Sequence, residues 1–225
     1  MMQYPQISIP TRSQHLWRYT PWKRIHPTKV AEMPESDPIR FSSGSDSEMN
    51  DSEEIARSFI HSISKSCKKI VLKDETMELD LRCSGHICSG ELNIESFGNS
   101  TLIIRISGDA GWTGLRIIGS VEGTLSMATI NDLASDGHFL RCEDWDVGRD
   151  SELEFATLSA GGFLNKSDIR VDLTNRGAQM RAGIASNGYS SRHDDHHVEI
   201  KHSIGHLNLP VCRQWVHKYS IRSDM

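Results

Sequence analysis

From about residue 68 onward, apolar and polar positions alternate with period two, the pattern of strands that bury one face. "ELNIE" (Leu92, Ile94), "TLIIRI" (Leu102, Ile104, Ile106), "ELEFATL" (Leu153, Phe155), "DIRVDL" (Ile169, Val171, Leu173), "AQMRAGIA" (Met180, Ala182, Ile184) and "HVEIKH" all follow it. Turn signals separate them: "SFGNS", "SGDAGWTG", "GSVEGT", "SDGH", "SAGG", "NRG" and "SNG". The body is therefore all-β, with many short strands at roughly even spacing. A β-sandwich, a cupin-like jelly roll and a parallel β-helix each fit that pattern. Small residues beside turns, as in "LSAGGF" and "AGIASNG", favour the β-helix, because its successive turns must approach closely.

Ahead of this body the pattern differs. Residues 1–40 hold six of the seven prolines together with Trp17, Tyr19 and Trp22. Proline at that density excludes a long helix and predicts an irregular arm that packs its aromatics on something. Residues 41–66 begin with "FSSGSDSEMNDSEE", polar and acidic with little to bury, which predicts a flexible linker. A short amphipathic helix follows, with Ile55, Phe59 and Ile63 at i, i+4 and i+8 and Ser52, Glu53 and Glu54 at its start. The β core is assigned to residues 67–210, and residues 211–225 form a tail of different character.

Composition narrows the function classes. At 225 residues the chain can bury a substantial core. A net charge of −5 and a pI near 6.1 argue against nucleic acid as the main partner. Arg12, Arg18, Lys23, Arg24, Lys29 and Arg40 make the arm locally basic, which reads as a solvated face. No apolar run is long enough to span a bilayer, and the amino-terminal stretch lacks the apolar region of a signal peptide, so a cytoplasmic location and no membrane partner are expected. Five cysteines (Cys67, Cys83, Cys88, Cys142, Cys212) are an odd number, and reduced thiols are the expectation.

Two stretches carry a family resemblance. "HLWRYTPWKRIHP" (15–27) resembles the Trp-Arg-Tyr-Thr segment near the amino terminus of the SufB/SufD family of iron–sulfur cluster assembly proteins, with Trp17, Arg18 and Tyr19 at its positions. "FLNKSDIRVDLTNRGAQMRAGIASNGYSSRHDDHHVEIKHSIGH" (163–206) is similar to the later turns of the SufD core, with Asp195, His197, His202 and His206 at the family-like positions. The resemblance spans most of the chain and is strongest at 15–24 and 163–206. It implies a right-handed parallel β-helix with an amino-terminal arm. It also implies a non-catalytic, SufD-like scaffold subunit that pairs with a SufB-like partner on a SufC-type ATPase. On that reading this chain holds no cofactor stably, and an iron–sulfur cluster is present transiently at the level of the assembled complex. After His206 the family continues with a Cys-Ser-His-Gly segment and helices that dock the ATPase. Here "LNLPVCRQWVHKYSIRSDM" diverges, so the chain reads as carboxy-terminally truncated or divergent, by a frameshift or a split gene, with the docking region missing.

Several residues bear chemistry. In "SRHDDHHVEIKHSIGH" alternation puts His196, Val198, Ile200 and His202 on the core side, and His193, Asp195, His197 and Glu199 on the other. A His-x-Asp-x-His row suits a divalent metal, so His193, Asp195 and His197 are candidate ligands, and a solvated strand face is the plainer reading. The same three residues, with His138, define an alternative function: a metal-dependent, cupin-like enzyme. His202 is expected to be a buried, hydrogen-bonded histidine. "CSGHICSG" offers Cys83, His86 and Cys88, but Cys-x4-Cys alone misses structural-zinc spacing, and period two puts the cysteines on opposite faces unless Gly85 makes a bulge. Cys142 and Cys212 lack a neighbouring base, and Asp144 with Asp146, or Glu152 with Glu154, read as wet strand faces. No catalytic residue is assigned.

Overall fold

A strand that buries side chains on one face and lacks a hairpin turn must find its partner one full turn of chain later, and these strands do so in parallel. The computed structural model describes residues 4–203. In chain order it contains a 3-10 turn (His15–Trp17), α1 (Trp22–Ile25), β1 (Asp37–Pro38), β2 (Arg40–Phe41), β3 (Ser45–Asp46) and α2 (Ile55–Ile63). The body follows as β4 (Cys67–Lys73), β5 (Thr76–Cys83), β6 (Ile87–Gly108), β7 (Trp112–Leu133), β8 (His138–Val147), β9 (Glu152–Ser159), β10 (Leu164–Leu173), β11 (Gln179–Ser186) and β12 (His193–His202). It is a parallel β-helix of about five turns. The sandwich and jelly-roll alternatives fall away, because both need antiparallel neighbours and β4 to β12 pair in parallel throughout.

Each turn contributes one strand to each of two faces. The first face stacks β4, the first half of β6, the first half of β7, β8, β10 and β12. The second stacks β5, the second halves of β6 and β7, β9 and β11. β6 and β7 run unbroken through the corner, which they turn at Gly98 (φ 65°) and Gly123 (φ 117°). These glycines stack in register, and a Cβ on Gly123 would stand 2.2 Å from the Gly98 carbonyl oxygen. Only glycine meets both the positive φ and that spacing.

The lumen between the faces is apolar over most of its length, with Leu72, Leu79, Leu92, Leu102, Ile117, Leu125, Leu153 and Ile169 fully buried. Each such side chain contributes roughly 1.5–3 kcal/mol. A second core lies outside the first face. There α2 and the arm pack Trp17, Trp22, Ile25, Phe59 and Ile60 over Ile87, Trp112, Leu140 and Leu164. The expected helix is thus α2, and the expected aromatic arm covers it. Trp17 and Trp22 are buried, whereas Tyr19 is half exposed and meets His15 edge-on. The acidic stretch expected to be a flexible linker lies along the solenoid instead. β3 pairs antiparallel with β4, Asp46 takes an ion pair from Lys68 at 2.7 Å, and Arg116 donates to the Asn50 carbonyl. Its few apolar residues hid this, because the backbone and the acids hold it. Among the described residues no helix is long and apolar enough to cross a membrane.

Candidate functional site

The outward side chains of the first face form columns, one residue per turn. Ile87, Trp112, His138, Leu164 and His193 stack in one; Ser89, Gly114, Leu140, Lys166 and Asp195 in the next; Glu91, Arg116, Cys142, Asp168 and His197 in a third. His193, Asp195 and His197 do share one face, as alternation predicts. That face is only partly solvated, however, because the arm lies over it: Asp195 is buried and His193 and His197 are half-buried. Buried Thr20 hydrogen-bonds His193 Nε2 at 2.9 Å and also the Asp195 carboxylate. Asp195 accepts from the fully buried Lys166 at 3.0 Å, and the Lys166 ammonium stands 5.2 Å from the centre of the Trp17 ring. His197 binds Asp168 at 2.9 Å, with the His15 ring 6.1 Å away. Each member of the row is thus engaged by protein groups, His193 and Asp195 sharing Thr20. Among the described residues, no three His, Cys, Asp or Glu side chains group as metal ligands. The row also faces outward on a solenoid, so the closed barrel with inward ligands that a cupin-like site requires is not what this chain forms.

Charge is concentrated at Asp168. Its carboxylate receives Arg57 Nη1 from α2, Arg170 Nη2 at 3.1 Å and His197. Burial would raise the Asp168 carboxyl, yet the His197 hydrogen bond and the Arg57 and Arg170 charges hold it well below the ordinary range. Arg57 also donates through Nε to both Asp144 oxygens, at 2.9 and 2.8 Å, and through Nη2 to the Glu143 carbonyl at 3.0 Å. Asp144 is therefore a docking group for the helix and not a plain wet-face acid. Asp146 is exposed, and Glu152 and Glu154 pair with Arg181. Cys142 sits under this cluster, where burial pushes its thiol up to about 12, so it is a packed, protonated group without nucleophilic character.

A second polar cluster, missed from sequence, lies inside the solenoid. Arg141 and Glu143 point into the lumen between Phe139 and Trp145 and are almost fully buried. Arg141 Nε and Trp145 Nε1 (2.7 Å) both donate to the Glu143 carboxylate, and Arg141 Nη1 reaches Thr157 at 3.3 Å. Two turns on from Arg141, His196 bonds Ser167 at 3.0 Å and Ser186 at 3.4 Å, and Arg192 pairs with Asp194 at 2.9 Å. "FLRCEDW" carried the signal: Arg141 and Glu143 share the parity of Phe139 and Trp145, so alternation alone puts them inward.

Burial drives the His196 imidazole down to about 4, assisted by the Arg141 charge and opposed by Asp194. In the unfolded chain the same histidine takes its proton near its ordinary value of about 6.5. Folding is therefore uncoupled from this group above pH 6.5, and stability falls as pH drops from there toward 4, by roughly 3 kcal/mol from this residue. His26, His138 and His193 are also lowered by burial and act in the same direction. Urea unfolding at pH 7 and pH 5 should show the decrease, and His196→Gln should flatten part of the slope.

The remaining sequence candidates fall as follows. His202 is exposed rather than buried, because it ends β12, at the limit of the described solenoid. His206 and Cys212 lie outside the described residues. Arg18 is exposed on the arm. Cys83 and Cys88 both point into the lumen, not to opposite faces. Gly85 turns with φ 90°, resets the alternation and brings them together, while His86 stays exposed. Set against protein-family models, curated proteins and solved structures, the chain matches none.

Proposed function

We propose that this chain is a SufD-like, non-catalytic scaffold subunit for iron–sulfur cluster assembly, pairing with a SufB-like partner and, through it, with a SufC-type ATPase. The observation that carries the reading is a contact. The two stretches that resemble the family, 15–27 and 163–206, are far apart in sequence and pack on each other through Trp17 on Lys166 and Thr20 on His193. A resemblance confined to surface residues would not need them to meet. The parallel β-helix agrees with it, and among the described residues no strand pairs with the outer edge of β12, whose backbone groups suit pairing with a strand of a partner. The chain supplies the arm, the helix and the stacked faces; cluster chemistry belongs to the assembled complex.

Iron, zinc and acid-labile sulfide measured on the purified chain, alone and after co-expression with a SufB-like protein, test this. The expected outcome is iron and sulfide only in the co-purified complex. One tightly held Zn²⁺ or Fe²⁺ per isolated chain, lost in His197→Ala, would overturn the scaffold reading in favour of a metal site at His193, Asp195 and His197.

A further inference from the structure

The arm gathers its positive charge around one cavity. Residues 1–31 contain five Lys and Arg and no Asp or Glu, while the remaining chain holds 20 such cations against 30 acids. Three of the five, Arg12, Lys23 and Arg24, line a cavity of about 380 Å³ together with Ile9, Pro21 and Trp22. Two stretches of the arm, 9–12 and 21–24, therefore meet around it. The second stretch is fixed in place. Trp22 is fully buried against Tyr4, Trp17, His26 and Phe59, and Trp112 Nε1 donates to the Ile25 carbonyl at 2.7 Å.

Among the described residues none of these three cations makes an ion pair, whereas Lys29, further along the arm, pairs with Glu32, and the buried Arg57, Arg141 and Lys166 each hold a carboxylate. Arg24 instead faces His138 and His193, whose imidazoles are lowered by burial and further by its charge. Like charges around one hollow repel each other, and an anion set between them turns that repulsion into attraction. A carboxylate brings one charge and two oxygens, too little for three cations. A phosphomonoester carries about 1.5–2 negative charges at pH 7 and three acceptor oxygens, and a guanidinium can take two of those oxygens at once. The volume sits at the small end of ligand sites, which run to roughly 1,000 Å³, and Ile9 and Pro21 add carbon surface beside the charges.

We propose that the arm cavity binds a small phosphomonoester, with the phosphate among Arg12, Lys23 and Arg24 and a single apolar ring or short chain against Ile9 and Pro21. The basic arm, which its sequence suggests is a solvated face, thereby becomes an anion site built from two of its own segments. The inference is independent of the scaffold function, which rests on the contacts of Trp17 and Thr20, so the failure of either leaves the other standing.

Isothermal titration calorimetry of the full-length chain at low ionic strength tests this with three probes: phenyl phosphate, inorganic phosphate and benzoate. The expected result is saturable one-to-one binding of phenyl phosphate, roughly tenfold or more tighter than either other probe and weakened by added salt. Arg12→Gln, Lys23→Gln and Arg24→Gln change exposed residues, and each should weaken it by roughly tenfold while urea unfolding stays unchanged. Lys29→Gln, an arm cation outside the cavity, should leave the affinity as it is. The inference is wrong if phenyl phosphate shows no saturable binding, or if benzoate or inorganic phosphate binds as tightly. An equal loss in Lys29→Gln would also overturn it, because the attraction would then belong to the arm's overall charge. The comparison of probes is read on the parent chain, so it does not depend on any variant folding.

Discussion

Arg57→Ala is expected to cost about 3–5 kcal/mol, the largest loss for any single residue of α2. The guanidinium is almost wholly buried and serves Asp144, Asp168 and the Glu143 carbonyl at once. Removing it leaves the Asp168 carboxylate buried with only Arg170 and His197 to neutralise it. An uncompensated buried charge is the costly part, so restoring neutrality should recover much of the loss. Arg57→Met combined with Asp168→Asn is expected to be clearly more stable than Arg57→Met alone. Urea denaturation at pH 7 measures both, and a loss under about 1 kcal/mol for Arg57→Ala would mean that packing alone docks the helix.

Trp22→Ala should have a comparable effect by a different route. Its side chain is fully buried and meets Tyr4, Trp17, His26 and Phe59 with ring centres 5.2–6.1 Å apart. Deleting a buried indole costs about 3–5 kcal/mol, from lost transfer energy and the cavity left behind. The cavity opens in the outer core between arm, α2 and the first face, and not in the lumen. The arm should therefore become protease-sensitive while amide protection in β6 and β7 persists. Trp22→Phe is expected to cost far less, because the indole Nε1 is buried without a hydrogen-bond partner and its removal relieves that penalty.

The fold was readable from sequence wherever burial is set by the chain's own periodicity. Period two marked the strands, and 55/59/63 marked α2. A repeat of about 26 residues per turn, visible once Ile87, Trp112, His138, Leu164 and His193 are seen to stack, would have fixed the solenoid more firmly than small residues beside turns did. What could not be read was anything set by distant chain. The row at His193, Asp195 and His197 was placed correctly on one face, but its solvation depends on an arm more than 170 residues earlier, as the Thr20–His193 bond shows. The acidic stretch around Asp46 differs from the expected flexible linker for the same reason: its partner, Lys68, sits on a strand it pairs with antiparallel. Gly85 was the hinge of the cysteine question, since its positive φ resets the alternation between Cys83 and Cys88.

The most direct test of the scaffold assignment is native mass spectrometry of the full-length chain co-expressed with a SufB-like protein and a SufC-type ATPase. A SufD known to assemble with that pair serves as the control. The expected result is that the chain co-purifies with the SufB-like protein as a 1:1 pair. Recovery of the chain as a free monomer, under conditions where the control SufD assembles, would contradict it.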